Sequence, residues 1–266
     1  MKRTYTVVIP AFNAELTLGA CLQSVVAQSL AALEVIVVDD RSVDGTAAVV
    51  EQWRARLLHA GIVLRYVLLD VNSGPSIARN TAMRMATGQF IAFLDSDDAW
   101  RTDKLAIVDR FINDTAAGLI CHSYADTATV VISPVSHVAV LLSKYHMLLR
   151  NPAQTSCAVV RRDLGLVFDE RMRYCEDYDL WLRMAEVAPV LCLIGSPLTQ
   201  LGRPQLSAGG LSGNVWKMRM GEMQVYRNFC KRGNAARIFL LPLLIVVSMM
   251  KHVYSRTKGV GANSAA

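Results

Sequence analysis

The first hundred or so residues alternate between two patterns. Tyr5–Pro10, Leu33–Val38, Ile62–Leu68 and Phe90–Leu94 are short, largely apolar runs, the first ending at Pro10 and the second and fourth followed by aspartates. Between them lie longer stretches whose apolar residues recur every three or four positions. Glu15–Gln28 repeats through Leu18, Cys21, Leu22, Val25 and Val26. Asp44-Gly45-Thr46 opens a second such stretch, to about His59, and Ser73-Gly74 leads into a third that runs through Ala78, Ala82 and Met85 and stops at Gly88. The pattern predicts β-α-β-α-β-α-β. Strands that are apolar throughout belong in a parallel sheet covered on both faces, and right-handed crossovers make it an open, doubly wound α/β sheet. Ligands of such sheets bind at the carboxyl ends of the strands. Those ends carry Pro10-Ala11-Phe12-Asn13, Asp39-Asp40 and Asp95-Ser96-Asp97-Asp98.

The second hundred residues are less regular. They predict a helix near Lys104–Asn113, strands near Leu119–His122, Val130–Ile132 and Ser156–Val160, and a helix over Tyr178–Ala188 with Leu180, Trp181, Met184 and Val187 on one face. Ser196–Asn214, with Gly202, Pro204, Gly209, Gly210 and Gly213, reads as a loop of the length that functional lids have. Further on, Ile238–Met250 is 13 residues without charge, between Lys231, Arg232 and Arg237 on one side and Lys251, His252, Arg256 and Lys258 on the other. As a helix it spans about 20 Å, short of the ~30 Å hydrocarbon core, and Pro242 kinks it near its start. Three arrangements fit it: an interfacial helix held by basic flanks, a helix packed on the preceding domain, and a shallow re-entrant insertion. Length and flanking charge favour the first. The expected division is therefore an α/β domain over 1–215 and a basic, apolar helical tail over 216–266.

Composition narrows the class. Of 266 residues 53% are apolar and 19% charged, which excludes a disordered chain, and no uninterrupted apolar run reaches the ~18 residues of a membrane span. The net charge is +6, but nine of the 28 basic residues and one of the 22 acidic ones fall from Lys217 onward. The body thus carries −2 and the tail +8, a pattern that suits an anionic lipid surface better than nucleic acid. Six cysteines, at 21, 121, 157, 175, 192 and 230, form no CxxC pair and no zinc spacing, as expected in a reducing compartment. The strand pattern starts at once after Met1-Lys2-Arg3-Thr4, so the expectation is a cytoplasmic chain without a signal peptide.

The candidate chemistry is acidic. Asp95 and Asp97, two apart in an extended turn, can converge on a hard divalent cation, which would stabilise a leaving diphosphate. Helix capping before Trp100-Arg101-Thr102 is the alternative reading of this cluster. Glu176-Asp177 offers a general base, or equally ordinary first-turn acids of the helix that follows.

Five segments in order, VVIPAFNAE at 7–15, VIVVDDRSVDGT at 35–46, SGPSIARN at 73–80, GQFIAFLDSDDAW at 88–100 and CEDYDLWLRM at 175–184, resemble family 2 glycosyltransferases of the GT-A fold over about residues 5–200. The resemblance implies an inverting transfer of one sugar from a nucleotide-diphosphate sugar, UDP favoured, to an acceptor hydroxyl. It also implies Mn²⁺ or Mg²⁺ as cofactor. By the same resemblance, Pro10 and Phe12 belong to the nucleotide-binding turn with Glu15 opening the helix beside it, Asp40 holds the base or ribose, Asp39 either assists it or is structural, and Arg79 lies on the basic side of the site. Asp95 and Asp97 are the DxD pair, with Asp97 the metal ligand, and Asp177 is the base. A salt bridge from Arg79 to Asp95 or Asp97 is compatible with that role. The segment 201–218 resembles the closing loop of bacterial members, with Arg203 as a phosphate contact. Many members place an aromatic residue before that arginine; this chain has Gly202. Arg203 is followed by Pro204 where processive synthases have QxxRW, which points to a single transfer. The implied acceptor is a polyprenyl-linked glycan in surface polysaccharide synthesis, met by an enzyme peripheral on the inner face of the cytoplasmic membrane. Two alternatives stand beside it. A non-catalytic binding subunit of the same fold is opposed by the intact acids. A sugar nucleotidyltransferase is opposed by the lack of Lys or Arg in Ala11–Glu15.

Overall fold

A strand apolar at nearly every position must be covered on both faces, and β1 (Tyr5–Ala11), with Thr6 its one polar residue, is. In the computed structural model, which describes residues 3–112, 116–125, 138–203, 214–233 and 235–250, Val7 and Ile9 enter one hydrophobic cluster and Val8 enters the other. This is the two-residue alternation of a strand between two helical layers.

Around β1 the sheet runs β3 (Val63–Leu68), β2 (Glu34–Asp39), β1, β4 (Phe90–Phe93), and all these neighbours pair in parallel. Helices α1 (Leu18–Val26) and α2 (Thr46–His59) cover the first face with Leu18, Leu22, Trp53 and Leu57. Helix α3 (Pro75–Met85) covers the other with Ala78, Ala82 and Met83. The chain thus changes faces between its second and third crossovers, and the crevice opens where β1 and β4 diverge. The parallel half of the sheet is the one the sequence predicts, with one difference. β3 is an edge strand, so its residues are half-buried or exposed and not covered on both faces.

Beyond β4 the sheet becomes mixed. It continues through β8 (Ala158–Arg161), β6 (Leu119–Ala125), β9 (Val190–Gln200) and the short β5 (Ala99–Trp100), with β7 (Val138–Leu142) also paired to β9. β8 is antiparallel to β4 and β6, while β6 and β9 are parallel. Strands β7 and β9 are not anticipated by the sequence reading, and residues 196–200 extend β9 where a loop is expected. Pairing to β6 and to β5 supplies the backbone partners that hold this segment extended. The strand expected at Val130–Ile132 lies outside the described residues.

Helix α4 (Lys104–Ile112) packs on the first face, and α5 (Lys144–Leu149) and α6 (Glu176–Val187) on the second. Helix α7 (Val215–Arg232), which follows the expected division at 215, buries Val225, Tyr226, Phe229 and Cys230 in that same cluster. The Tyr226 hydroxyl donates to the Leu148 carbonyl at 3.0 Å. After α8 (Ala235–Ile238), a helix over 241–250 folds back along α7. Arg237 pairs with Glu186 and lies over Phe229, Leu244 is buried, and the Ser248 hydroxyl donates to Glu222 at 2.7 Å. No helix among the described residues is long and apolar enough to cross a membrane.

Candidate active site

One cavity of about 690 Å³ opens at the carboxyl ends of β1, β2 and β4. It gathers Pro10, Phe12, Asp40, Arg79, Asp95, Asp97, Asp177 and Arg203 from six stretches of the chain. Glu15 and Asp39 are not in its lining. The Glu15 carboxylate accepts from the Gly45 amide at 3.0 Å and so ties the turn after β1 to the start of α2. Asp39 accepts from the Ser42 amide and the Tyr66 hydroxyl, both at 2.7 Å. Its two oxygens fasten the turn after β2 to the edge strand, a supporting position rather than one facing a ligand.

Asp40, buried at the end of β2, accepts from the Ser73 and Gly74 amides at 2.6 and 2.7 Å. These bonds fix the approach to α3, whose first turn lines the cavity. Phe12 stands 51% exposed, leaving an aromatic face open beside Asp40.

Helix α3 also presents Arg79, which is buried in spite of its charge. Its guanidinium donates to Asp95 at 2.7 Å and to Glu176 at 3.1 Å, and lies over the Phe168 ring at 5.4 Å. One cation therefore joins the acidic turn after β4 to the first turn of α6. A pairing to Asp95 is anticipated by the sequence; the bond to Glu176, 97 positions away, is not. Burial pushes the Glu176 carboxyl up to about 7 against the pull of Arg79.

The turn Asp95–Asp98 is held from below by Ser156. Its hydroxyl accepts from the Asp95 amide at 2.9 Å, and its carbonyl accepts from Lys104, Trp100 and Thr199. Lys104 is wholly buried, with its ammonium 3.7 Å from the centre of the Trp100 ring. Nothing in the sequence distinguishes Ser156 or Lys104 from ordinary helix and strand residues. From above, the Gly202 amide donates to Asp98 at 2.9 Å. A Cβ on Gly202 would stand 1.7 Å from the Asp97 carbonyl oxygen. That contact leaves room for glycine alone at this position. It also sets Arg203 against Asp97, Nε to Oδ2 3.3 Å.

Burial raises the pKa of Asp97, and Asp95 adds to the rise while Arg203 opposes it. Burial and Asp95 push Asp98 up to about 7. A crowded set of oxygen acids of this kind suits a hard cation, which relieves the repulsion. Among the described residues no three His, Cys, Asp or Glu side chains stand together as a metal cage. The arrangement fits a cation held by one or two carboxylates with the remaining positions left to phosphate and water, the usual manner of Mg²⁺.

At the other side, Asp177 sits in the first turn of α6. Its carboxylate accepts from Asn151 at 3.1 Å and from the Tyr178 amide at 2.7 Å. Burial raises its pKa, and these two donors hold the rise back. Cys175 before it takes a left-handed conformation, φ 57°, unusual for a residue with a Cβ. The first-turn reading of Glu176-Asp177 is correct for position, and that position faces the cavity.

The model of the family "Glycosyl transferase family 2" matches residues 6–157. The chain belongs to that family. It is 29% identical, over 96% of its length and 97% of the relative's, to the UDP-Glc:alpha-D-GlcNAc-diphosphoundecaprenol beta-1,3-glucosyltransferase WfgD of Escherichia coli. Staphylococcus aureus TarS, residues 1–349 in complex with UDP-GlcNAc, superposes with a TM-score of 0.69 at 22% identity, over 85% of this chain and 65% of that one. The mannosyltransferase PcManGT of Pyrobaculum calidifontis, in complex with GDP-Man and Mn²⁺, gives 0.67 at 17% identity, over 100% and 80%. The fold is the GT-A fold.

Replacing Arg79 with Met leaves Asp95 and the buried Glu176 without their cation. Urea denaturation should show a loss of about 3–5 kcal/mol, the usual result of breaking a buried ion pair from one side. A loss below about 1 kcal/mol would show that the pairing does not hold the two segments.

Proposed function

We propose that this family 2 glycosyltransferase moves one sugar from a UDP-sugar to an acceptor hydroxyl with inversion, and that the acceptor is a lipid-linked glycan of surface polysaccharide synthesis. The observation that carries the reading is the convergence of Asp95, Asp97, Asp177, Asp40 and Phe12 on one cavity. The relative WfgD, matched almost end to end, is named for a UDP-sugar donor and a diphosphoundecaprenol acceptor, and supports both choices.

In this reading Phe12 stacks on the nucleobase, with Pro10 and the Asp40 turn shaping its seat. Asp97, with Asp95, holds a divalent cation, Mn²⁺ or Mg²⁺, which when bound neutralises charge on the diphosphate. Arg203 adds a cation on the same side. Asp177 takes the proton from the acceptor hydroxyl as its oxygen attacks the anomeric carbon. Its raised pKa makes it a stronger base than an exposed aspartate, and the Asn151 and Tyr178 donors orient it. A single base facing the attacking oxygen, with the leaving group on the opposite side, gives inversion.

The tail supports a peripheral position on the inner face of the cytoplasmic membrane. Over 238–250 Phe239, Leu243, Val246 and Met250 are 84, 61, 54 and 67% exposed, spaced three or four apart, while Leu244 and Ser248 face α7. The segment packs on the domain with one side and offers the other, apolar side outward. Its basic flanks suit anionic headgroups.

A panel of nucleotide-sugars with Mn²⁺ or Mg²⁺ and a lipid-linked acceptor should release nucleoside diphosphate from one UDP-sugar. Chelator or Asp97→Asn should abolish release, and Asp177→Asn should slow transfer by about 10²–10⁴-fold while UDP still binds. No release from any donor, and no thermal stabilisation by any nucleotide, would refute the reading.

The acid limb of kcat/KM should lie above the ordinary aspartate range, because the base must be ionised and its pKa is raised. Asn151→Ala removes a donor that favours the charged form, so the limb should move to still higher pH. A limb that stays in place would exclude Asp177 as the titrating base.

Vesicles containing anionic lipid should retain the full-length protein in co-sedimentation, and the double change Phe239→Glu with Leu243→Glu should release it. Equal retention of both would locate membrane binding elsewhere.

A further inference from the structure

The cavity has a second cationic wall that the donor site does not use. We infer that Arg173, with Arg171 beside it, binds the diphosphate of a glycosyl diphosphate lipid at the rim of the cavity, between Asp177 and the apolar surface of the C-terminal helices. This rests on the proposed function and assigns residues to the acceptor.

The segment from Glu170 to Cys175 lines the cavity next to Glu176 and Asp177. Arg171 is held by Asp169 through two bonds of 2.9 Å, yet its side chain stays 90% exposed. Arg173 is exposed and makes no ion pair with a described residue. The other two arginines of the lining are committed elsewhere, Arg79 to Asp95 and Glu176, and Arg203 to Asp97. The charge of Arg173 therefore remains for a ligand, its planar guanidinium fork matching phosphate oxygens in pairs, while Arg171, already bonded to Asp169, stands exposed beside it.

This wall is fixed against the start of α7. The Cys175 thiol donates to the Met218 carbonyl at 3.4 Å. Gly221 lies flush on the segment, where a Cβ would meet the Tyr174 carbonyl oxygen at 2.7 Å. The same two turns of α7 expose Trp216, Lys217 and Met220. Ser248 bonds to Glu222, which sets the 241–250 helix against α7. Glu222 is six residues from Trp216, about 9 Å along a helix. The region offers the Asp177 carboxylate, guanidinium groups and, across the Cys175–Met218 contact, exposed apolar side chains. A glycosyl diphosphate lipid carries the complementary groups: a sugar hydroxyl, a diphosphate, a hydrocarbon chain. A soluble phosphate ester would make use of the arginines alone.

The test is binding to the full-length protein with UDP and Mn²⁺ saturating the donor side. The probes are farnesyl diphosphate, inorganic pyrophosphate and farnesol. Wild type should bind farnesyl diphosphate more tightly than either other probe. Arg171→Ala with Arg173→Ala should weaken that binding at least tenfold and leave UDP affinity unchanged, and Arg173→Lys should weaken it less. Equal binding of farnesyl diphosphate by wild type and the double variant would overturn the site while leaving the lipid-acceptor reading intact. A matching loss of UDP affinity would assign the arginines to the donor and overturn it too. Pyrophosphate binding as tightly as farnesyl diphosphate would overturn the lipid. No binding of farnesyl diphosphate by wild type would remove the lipid-acceptor reading itself, and the proposal with it.

Discussion

A buried guanidinium must be matched by charge, and in this protein the matching acids come from two segments far apart in the sequence. Arg79 reaches Asp95 on the turn after β4 and Glu176 at the start of α6. Taking Arg79 and Glu176 out of water is costly, and the attraction among the three groups offsets that cost only while the geometry is kept. The candidate metal turn and the candidate base are thereby held at a set separation across one cavity. Ser156 and Gly202 restrain the acidic turn from its two other sides. What remains for a ligand is the outer carboxylates, Asp97 and Asp177, each less buried than the acid next to it that is bound within the protein.

The sequence is most informative where a single local rule decides the outcome. Apolar runs and helical repeats define β1, β2, β4 and the helices around them, because each is covered by the layers next to it, and β3 pairs at the edge with less cover. The same rules place the site, since a doubly wound sheet gathers its strand ends on one edge. They fail for β9, where a segment with Gly195, Ser196 and Pro197 is drawn into the sheet by its neighbours. They fail again for Glu15 and Asp39, acids at the right strand ends that are used within the turns. Arg79 is legible as a residue of the site, but its second partner is 97 positions away. Ser156 and Lys104 carry no local signal, because their importance lies in contacts that exist only after the fold has formed.

The C-terminal helices extend the site more than they extend the domain. Helix α7 completes the core over α6 and lends Met218 to the cavity, and the helix returning along it leaves an apolar side exposed. The basic character of this region, +8 from Lys217 onward, has no counterpart in the body. In the proposed reading this region meets the membrane and the acceptor, and the donor is seated at Phe12 and Asp40.

The claim underlying this account is that one cation couples the two acidic segments. It is tested by a double-mutant cycle on unfolding free energy, with Asp95→Asn, Glu176→Gln and the pair together. The account predicts a coupling of about 1 kcal/mol or more, since both acids are served by Arg79. Additivity within about 0.5 kcal/mol would mean that the two segments are held independently, and would contradict it.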